Sequence, residues 1–247
     1  MLPLIGLIMN PLDTLFENTP PPGSSRIAVV LGRFSPPTKG HYELINKVKS
    51  FIKANPELKL EANPVVIVIG NDKKEKTAEE LLKNPLSIHE RILFMKSSGL
   101  INGVKFMHAT NAFEALTGLR KHDLEPIAIA AGTDRIDDYV RILDNYFKTA
   151  DEKPIKHHRI HVARDEDAFA SDKEVKSSSI DDTLSAMKNG EDPGIDQISG
   201  SLARRAAELG YKTEFARLVG LDHNNNLANA LYAKVRKSID QAKSSKE

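Results

Sequence analysis

One stretch concentrates reactive residue types. Gly32-Arg33-Phe34-Ser35-Pro36-Pro37-Thr38-Lys39-Gly40-His41 follows directly on the apolar run Ile27-Ala28-Val29-Val30-Leu31. The order reads as a strand, a tight Gly/Pro loop and a helix opening near His41. A loop that delivers a strand into a helix N-terminus leaves backbone N–H groups unpaired at the positive end of the helix dipole, and so favours phosphate. Thr38 adds a hydroxyl and His41 an imidazole at that place, while Gly32 and Gly40 allow close backbone approach to an anion. A second stretch, Ile198-Ser199-Gly200-Ser201-Leu202-Ala203-Arg204, offers the same physics. Hydroxyls and N–H groups meet at a helix start, for which Ser201 is the expected cap, and Arg204 adds charge one turn along. Such a set suits transfer at phosphorus, where an oxygen attacks in line and negative charge grows on the bridging and leaving oxygens. That reaction needs donors and cations around a phosphate chain rather than a nucleophile or a buried base.

The first stretch resembles the G-x-F-x-P-x-[HT]-x-G-H motif of the nucleotidyltransferase superfamily, whose members transfer an adenylyl or cytidylyl group from a nucleoside triphosphate and release pyrophosphate. The resemblance implies that His41, Thr38 and Arg204 stabilise the transferring phosphates, and that Gly32, Arg33, Phe34, Ser35 and Gly40 bind the nucleotide. Thr38 stands where many relatives carry a first His, and phosphopantetheine adenylyltransferases also use Thr there. Arg33 is similar to the Gly-Arg-Phe opening of archaeal-type nicotinamide mononucleotide adenylyltransferases; its other reading is a solvated loop arginine. The second stretch is similar to the superfamily's I-S-x-[ST]-x-x-[RK] element, which makes Ser199 and Ser201 nucleotide-binding. Gly132-Thr133-Asp134-Arg135 is similar to a Gly-x-Asp element beside the nucleotide, and Asp134 suits either that role or capping of the helix that follows. Lys83-Asn84-Pro85-Leu86-Ser87-Ile88-His89-Glu90-Arg91 is similar to the Ser-x-x-x-Arg stretch of phosphopantetheine adenylyltransferases, implying that Lys83 and Arg91 contact acceptor or pyrophosphate. The order of all these elements over residues 26–240 looks most like the nucleotidyltransferases of tailed bacteriophages.

The resemblance further implies a nucleoside triphosphate substrate, ATP in preference to CTP, with Mg2+ bound mainly through the substrate. The acceptor carries a phosphate. Arg33 and Ile-Ser-Gly-Ser lean towards nicotinamide mononucleotide, Thr38 and the Lys83–Arg91 stretch towards phosphopantetheine. The rival reading is a non-catalytic, virion-associated or partner-binding protein on the same fold, motivated by an apolar N-terminal arm and a polar insertion. Relatives are often homo-oligomers.

These motifs must be brought together by their surroundings. Residues 27–32, 65–69, 104–107 and 127–131 read as strands, with 159–163 a further candidate. Residues 41–51 place Leu44, Ile45, Val48 and Phe51 at helical spacing, and Ser87 with Glu90 forms a capping box for a helix over 88–98. Helices are also expected over 112–121, after Arg135 with Ile136, Val140 and Leu143 inward, over 202–209, and in two later segments. Alternation of strands and helices predicts an α/β fold: a Rossmann-like parallel sheet with helices on both faces, plus a helical C-terminal segment. Ligands of such sheets bind at the carboxyl ends of strands near a switch point, where Leu31, Ile69 and Ala131 all lead. Residues 1–25 read as an N-terminal arm and Pro-rich linker, 26–240 as the domain, 164–195 as a long, mobile polar insertion, and 241–247 as a polar tail.

Composition narrows the alternatives. The 247 residues carry 35 basic and 34 acidic side chains, a net charge of +1 that gives no whole-surface argument for nucleic acid. There is no cysteine, which removes disulfides, thiolate catalysis and Cys-ligated zinc. The apolar Met1–Met9 lacks a basic flank and is too short to span a bilayer, so a soluble, cytoplasmic protein is expected, in the host cytoplasm or virion if of phage origin. Residues 32–40 lack the Gly-Lys-[Ser/Thr] ending of a P-loop. His157, His158 and His161 fall on a strand-like alternation that does not suggest a metal site, and Lys73, Lys74 and Lys76 read as a solvated charged loop.

Overall fold

The computed structural model describes residues 25–72, 76–147, 156–161 and 173–245. Residues 1–24 of the N-terminal arm and linker, Lys73 and Lys74, and residues 164–172 of the expected insertion lie outside the described residues. Five strands, β1 (Ser25–Gly32), β2 (Val65–Ile69), β3 (Lys105–Ala109), β4 (Leu124–Ala130) and β5 (His158–Ile160), form one parallel sheet in the order β3-β2-β1-β4-β5. The chain steps outward from β1 to β3, then returns to the far side of β1, so the switch point lies between β1 and β4.

The period of two along each strand sorts the core into two faces. Ile27, Val29, Leu31, Val65, Ile67 and Ile129 pack beneath α4 (Ala112–Lys121) and α5 (Thr133–Tyr146), against Leu116, Leu119, Val140 and Leu143. Ala28, Val30, Val66 and Val68 face α1 (Lys39–Ala54) and α3 (Ile88–Ser97) through Ile45, Val48 and Met95. Both faces are covered, which is why β1 and β2 read as unbroken apolar runs.

A third core joins α6 (Lys173–Lys188), α7 (Gly200–Glu208), α8 (Lys212–Leu218) and α9 (Asn226–Ser244) around Leu184, Met187, Leu202, Phe215, Leu231 and Val235. A short α2 (Ala78–Lys83) leans on α9. The stretch expected to be a mobile insertion is therefore helical over Lys173–Lys188. Ile180, Leu184 and Met187 recur at spacings of four and three, enough for one apolar stripe within a polar composition. Likewise α9 runs to Ser244 with Ala242 fully buried, so helix enters the expected polar tail. No helix among the described residues is long and apolar enough to cross a membrane.

Candidate active site

The carboxyl ends of β1, β2, β3 and β4 open into a cavity of about 480 Å3. Its wall brings together Gly32, Arg33, Phe34, Ser35, Gly40 and His41 from the first motif with Ser199, Gly200, Ser201 and Arg204 from the second. Gly132 and Arg135 border it from the third motif, and Lys83 from the fourth.

The loop after β1 is built around one aromatic ring. Phe34 has a left-handed φ of 51° and is 1% exposed; its ring packs on the His41 imidazole with centroids 4.9 Å apart. A Cβ on Gly32 would lie 3.0 Å from that ring, so the glycine is what lets Phe34 fold back beneath the loop. Helix α1 starts at Lys39, two residues earlier than expected, with Thr38 in extended conformation as its cap. The Thr38 N–H donates to His41 Nδ1 at 3.0 Å, and Thr38 Oγ1 lies 2.8 Å from the same nitrogen. Because Nδ1 accepts, the neutral imidazole carries its proton on Nε2. Thr38 itself is 1% exposed and does not line the cavity. Its contacts here are with the His41 ring, which it orients.

The two phosphate-type loops are locked together by backbone. Arg204 Nη1 donates to the Ser35 carbonyl at 2.5 Å and Nη2 to Ser201 Oγ at 3.0 Å. A Cβ on Gly40 would stand 3.1 Å from the Ile198 carbonyl, and one on Gly200 would stand 3.1 Å from that of Ser35. Both glycines are therefore close-approach residues. The N-termini of α1 and α7 border one cavity, which concentrates their positive dipole ends. The cap of α7 is Ser199, whose hydroxyl accepts from the Leu202 N–H at 3.1 Å; the expected cap, Ser201, sits inside the first turn. Similarly, α5 is capped by Gly132, so Asp134 takes the second helical position and is not the cap. The side chains of Thr133 and Asp134 lie outside the described residues.

Burial first, and the nearby Arg33 charge second, push Arg204 down to about 10. Among the described residues neither Arg33 nor Arg204 pairs with a carboxylate. The Ser35 hydroxyl is enclosed and has no hydrogen-bond partner among the described residues. Lys83 is exposed at the rim and pairs with Glu79 at 2.5 Å. Arg91, expected at acceptor or pyrophosphate, is instead 1% exposed, away from the cavity wall, and bonded to main-chain carbonyls. Lys76 is no solvated charge either: its Nζ donates to the Asn84 and Leu86 carbonyls at 2.9 and 3.0 Å.

Thr110, Asn111 and Tyr139 also line the cavity. The first two follow the end of β3, a position the strand-end rule marks. Tyr139 lies one turn beyond Arg135 on the same face of α5. Two of the three histidines near β5 go to packing: His157 Nδ1 donates to the Pro126 carbonyl at 2.7 Å, and the His158 ring lies tilted against Phe51 with centroids 5.4 Å apart, while His161 is exposed. Among the described residues no three His, Asp or Glu side chains are grouped to hold a metal ion.

The model of the cytidylyltransferase-like family matches residues 29–184, more than half of the 247. The chain belongs to that family. The match takes in the first motif, the sheet and part of α6, and stops before the Ser199–Arg204 element. Membership supports nucleotidyl transfer as the general chemistry. No curated protein matches the chain by sequence. Among solved structures, it is similar to a macrolide-efflux protein from Streptococcus pneumoniae, at 19% identity over 81% of this chain and 57% of that one, TM-score 0.46. It is also similar to a bifunctional NMN adenylyltransferase/ADP ribose pyrophosphatase from Francisella tularensis, complexed with AMP and a manganese ion, at 14% identity over 78% and 56%, TM-score 0.35. The chain spans little more than half the length of either.

Proposed function

We propose that this member of the family transfers an adenylyl or cytidylyl group from a nucleoside triphosphate to a small phosphate-bearing acceptor. An acceptor phosphate oxygen attacks the α-phosphorus, the bond to the bridging oxygen breaks, and pyrophosphate leaves. The observation that carries the reading is the convergence of His41, Arg33 and Arg204 with two helix N-termini on one cavity, in the absence of a carboxylate opposite either arginine among the described residues. The His41 Nε2–H, held in that tautomer by Thr38, donates to an α- or β-phosphate oxygen. Arg204 and Arg33 offset the charge that grows on the leaving pyrophosphate, and the buried Ser35 hydroxyl adds a donor. Lys83 at the rim, with Arg135, holds the outer phosphates or the acceptor, and Asp134 orients the nucleotide.

Mg2+ held mainly through the substrate would offset triphosphate charge; among the described residues no carboxylate set is grouped to hold it. ATP is favoured over CTP, and nicotinamide mononucleotide and phosphopantetheine are the acceptors that the motifs favour. The test is pyrophosphate release from ATP or CTP with Mg2+ across those acceptors and glycerol 3-phosphate. Release with one acceptor, falling ~100-fold or more in His41→Ala, is the expected result. Release unchanged in His41→Ala would remove His41 from the reaction.

A further inference from the structure

Arg91 is a buried cation that donates to three main-chain carbonyls, two of them at the ends of the sheet. Its Nε donates to the Ser87 carbonyl at 3.2 Å, and its Nη1 donates to Ile69 at 3.0 Å and to Arg33 at 2.6 Å. Ile69 ends β2 and Arg33 is the first residue past β1. One nitrogen therefore ties together two adjacent strand ends whose loops border the cavity. Asp72 faces Nη2 at 4.0 Å, and its other oxygen accepts the Ile88 N–H at 2.5 Å. The guanidinium also needs space. A Cβ on Gly70 would lie 2.5 Å from Nη2 and 3.2 Å from Nη1.

Fixing the Arg33 carbonyl fixes the peptide between Arg33 and Phe34. That peptide launches the left-handed Phe34, whose ring supports His41, and it sets the root of the Arg33 side chain at the cavity wall. We infer that Arg91 is a positioning residue that sets the phosphate-binding loop through the Arg33 carbonyl, and that residue 70 is glycine to give its guanidinium room. Neither Arg91 nor Gly70 lines the cavity, so their effect on phosphate passes through the backbone. The inference rests on the reading of the cavity as a phosphate site.

The experiment is calorimetric titration of the full chain with inorganic tripolyphosphate, alongside thermal melting without ligand, for wild type, Gly70→Ala, Arg91→Lys and the double variant. Lysine keeps the charge and loses the fork; alanine keeps Arg91 and displaces it. Each single variant is expected to bind ~10-fold or more weakly, since small displacements at such sites carry that scale of loss. The double variant is expected to bind no worse than Arg91→Lys by more than about twofold, because both changes act on one contact. Melting points that fall while affinity stays within about twofold of wild type would overturn the inference and leave Arg91 a fold-stabilising residue only. If Arg91→Lys does not fold, Gly70→Ala decides by the same criterion. A wild-type chain that does not bind tripolyphosphate overturns the phosphate-site reading, and the inference with it.

Discussion

Gly32 is small because Phe34 fills the space a side chain would take, and Phe34 is there because His41 needs a floor. Gly32→Ala places a methyl 3.0 Å from a ring that is 1% exposed and enclosed, so the ring must move and the imidazole with it. The expected outcome is ~1–3 kcal/mol of lost stability. Pyrophosphate release should fall as well, which separates this change from a merely destabilising one when both are measured at a temperature where the variant is folded. Thr38→Val is the gentler probe. It keeps the N–H donated to Nδ1 and removes only the hydroxyl, which corresponds to about tenfold or less in turnover. Turnover in Thr38→Val as low as in His41→Ala would show that the hydroxyl meets phosphate itself. The motif residues were legible in the sequence because their types and spacing are local. The partition between those that face the cavity and those that hold them, Thr38 and Arg91 among the latter, was not, since it depends on contacts such as that between Arg91 and Arg33, 58 positions apart.

At the scale of elements, the same distinction separates what was readable from what was not. The capping box of α3 was legible because every partner lies within four residues: the Glu90 N–H donates to Ser87 Oγ at 3.2 Å, and the Ser87 N–H donates to Glu90 at 2.9 Å. Ser87→Ala is expected to cost ~1 kcal/mol. That corresponds to ~2–4 °C in a chain of this size, read by calorimetry or circular dichroism. An unchanged melting point would mean that the first turn of α3 is held by Asp72, which accepts the Ile88 N–H, and not by its cap. The starts of α5 and α7 were less legible. Both helices begin at a residue whose side chain is not the obvious cap, Gly132 in one case and Ser199 ahead of Ser201 in the other. Helix α6 was hidden by its composition, because Ser, Asp and Lys outnumber the few apolar residues that bury it.

For the molecule as a whole, the helical C-terminal core is fastened by carboxylates. Asp181 on α6 accepts from Arg205 on α7 at 2.8 Å, Glu208 accepts from Arg205 and from Lys243 on α9 at 2.9 Å, and Lys234 on α9 reaches Glu90 on α3 at 2.5 Å. Burial would raise Glu90 and Glu208, but the hydrogen bonds from lysine, arginine and Ser87 outweigh it and hold both below the usual carboxylate range. Asp181 is held low chiefly by Arg205. A carboxyl with a depressed folded-state value binds fewer protons than in the unfolded chain, so its contribution is present above the unfolded value of about 4 and is lost as pH falls through the folded one. Urea midpoints are therefore expected to fall between pH 6 and pH 3.5, and Asp181→Asn should lose part of that dependence; a midpoint flat across this window would show that the ion pairs are solvated and add nothing. The overall α/β order was readable from alternating runs, whereas this fastening joins residues far apart in the chain. A side-chain hydrogen bond of still longer span, from Arg204, bears on how the protein comes into being. Arg204 holds the Ser35 carbonyl from 169 positions downstream, so the sheet and the first loop leave the ribosome well before their partner. A nascent chain that has already folded its sheet still lacks the second helix start that borders the cavity, which makes the complete cavity a late acquisition of synthesis rather than a property of the sheet.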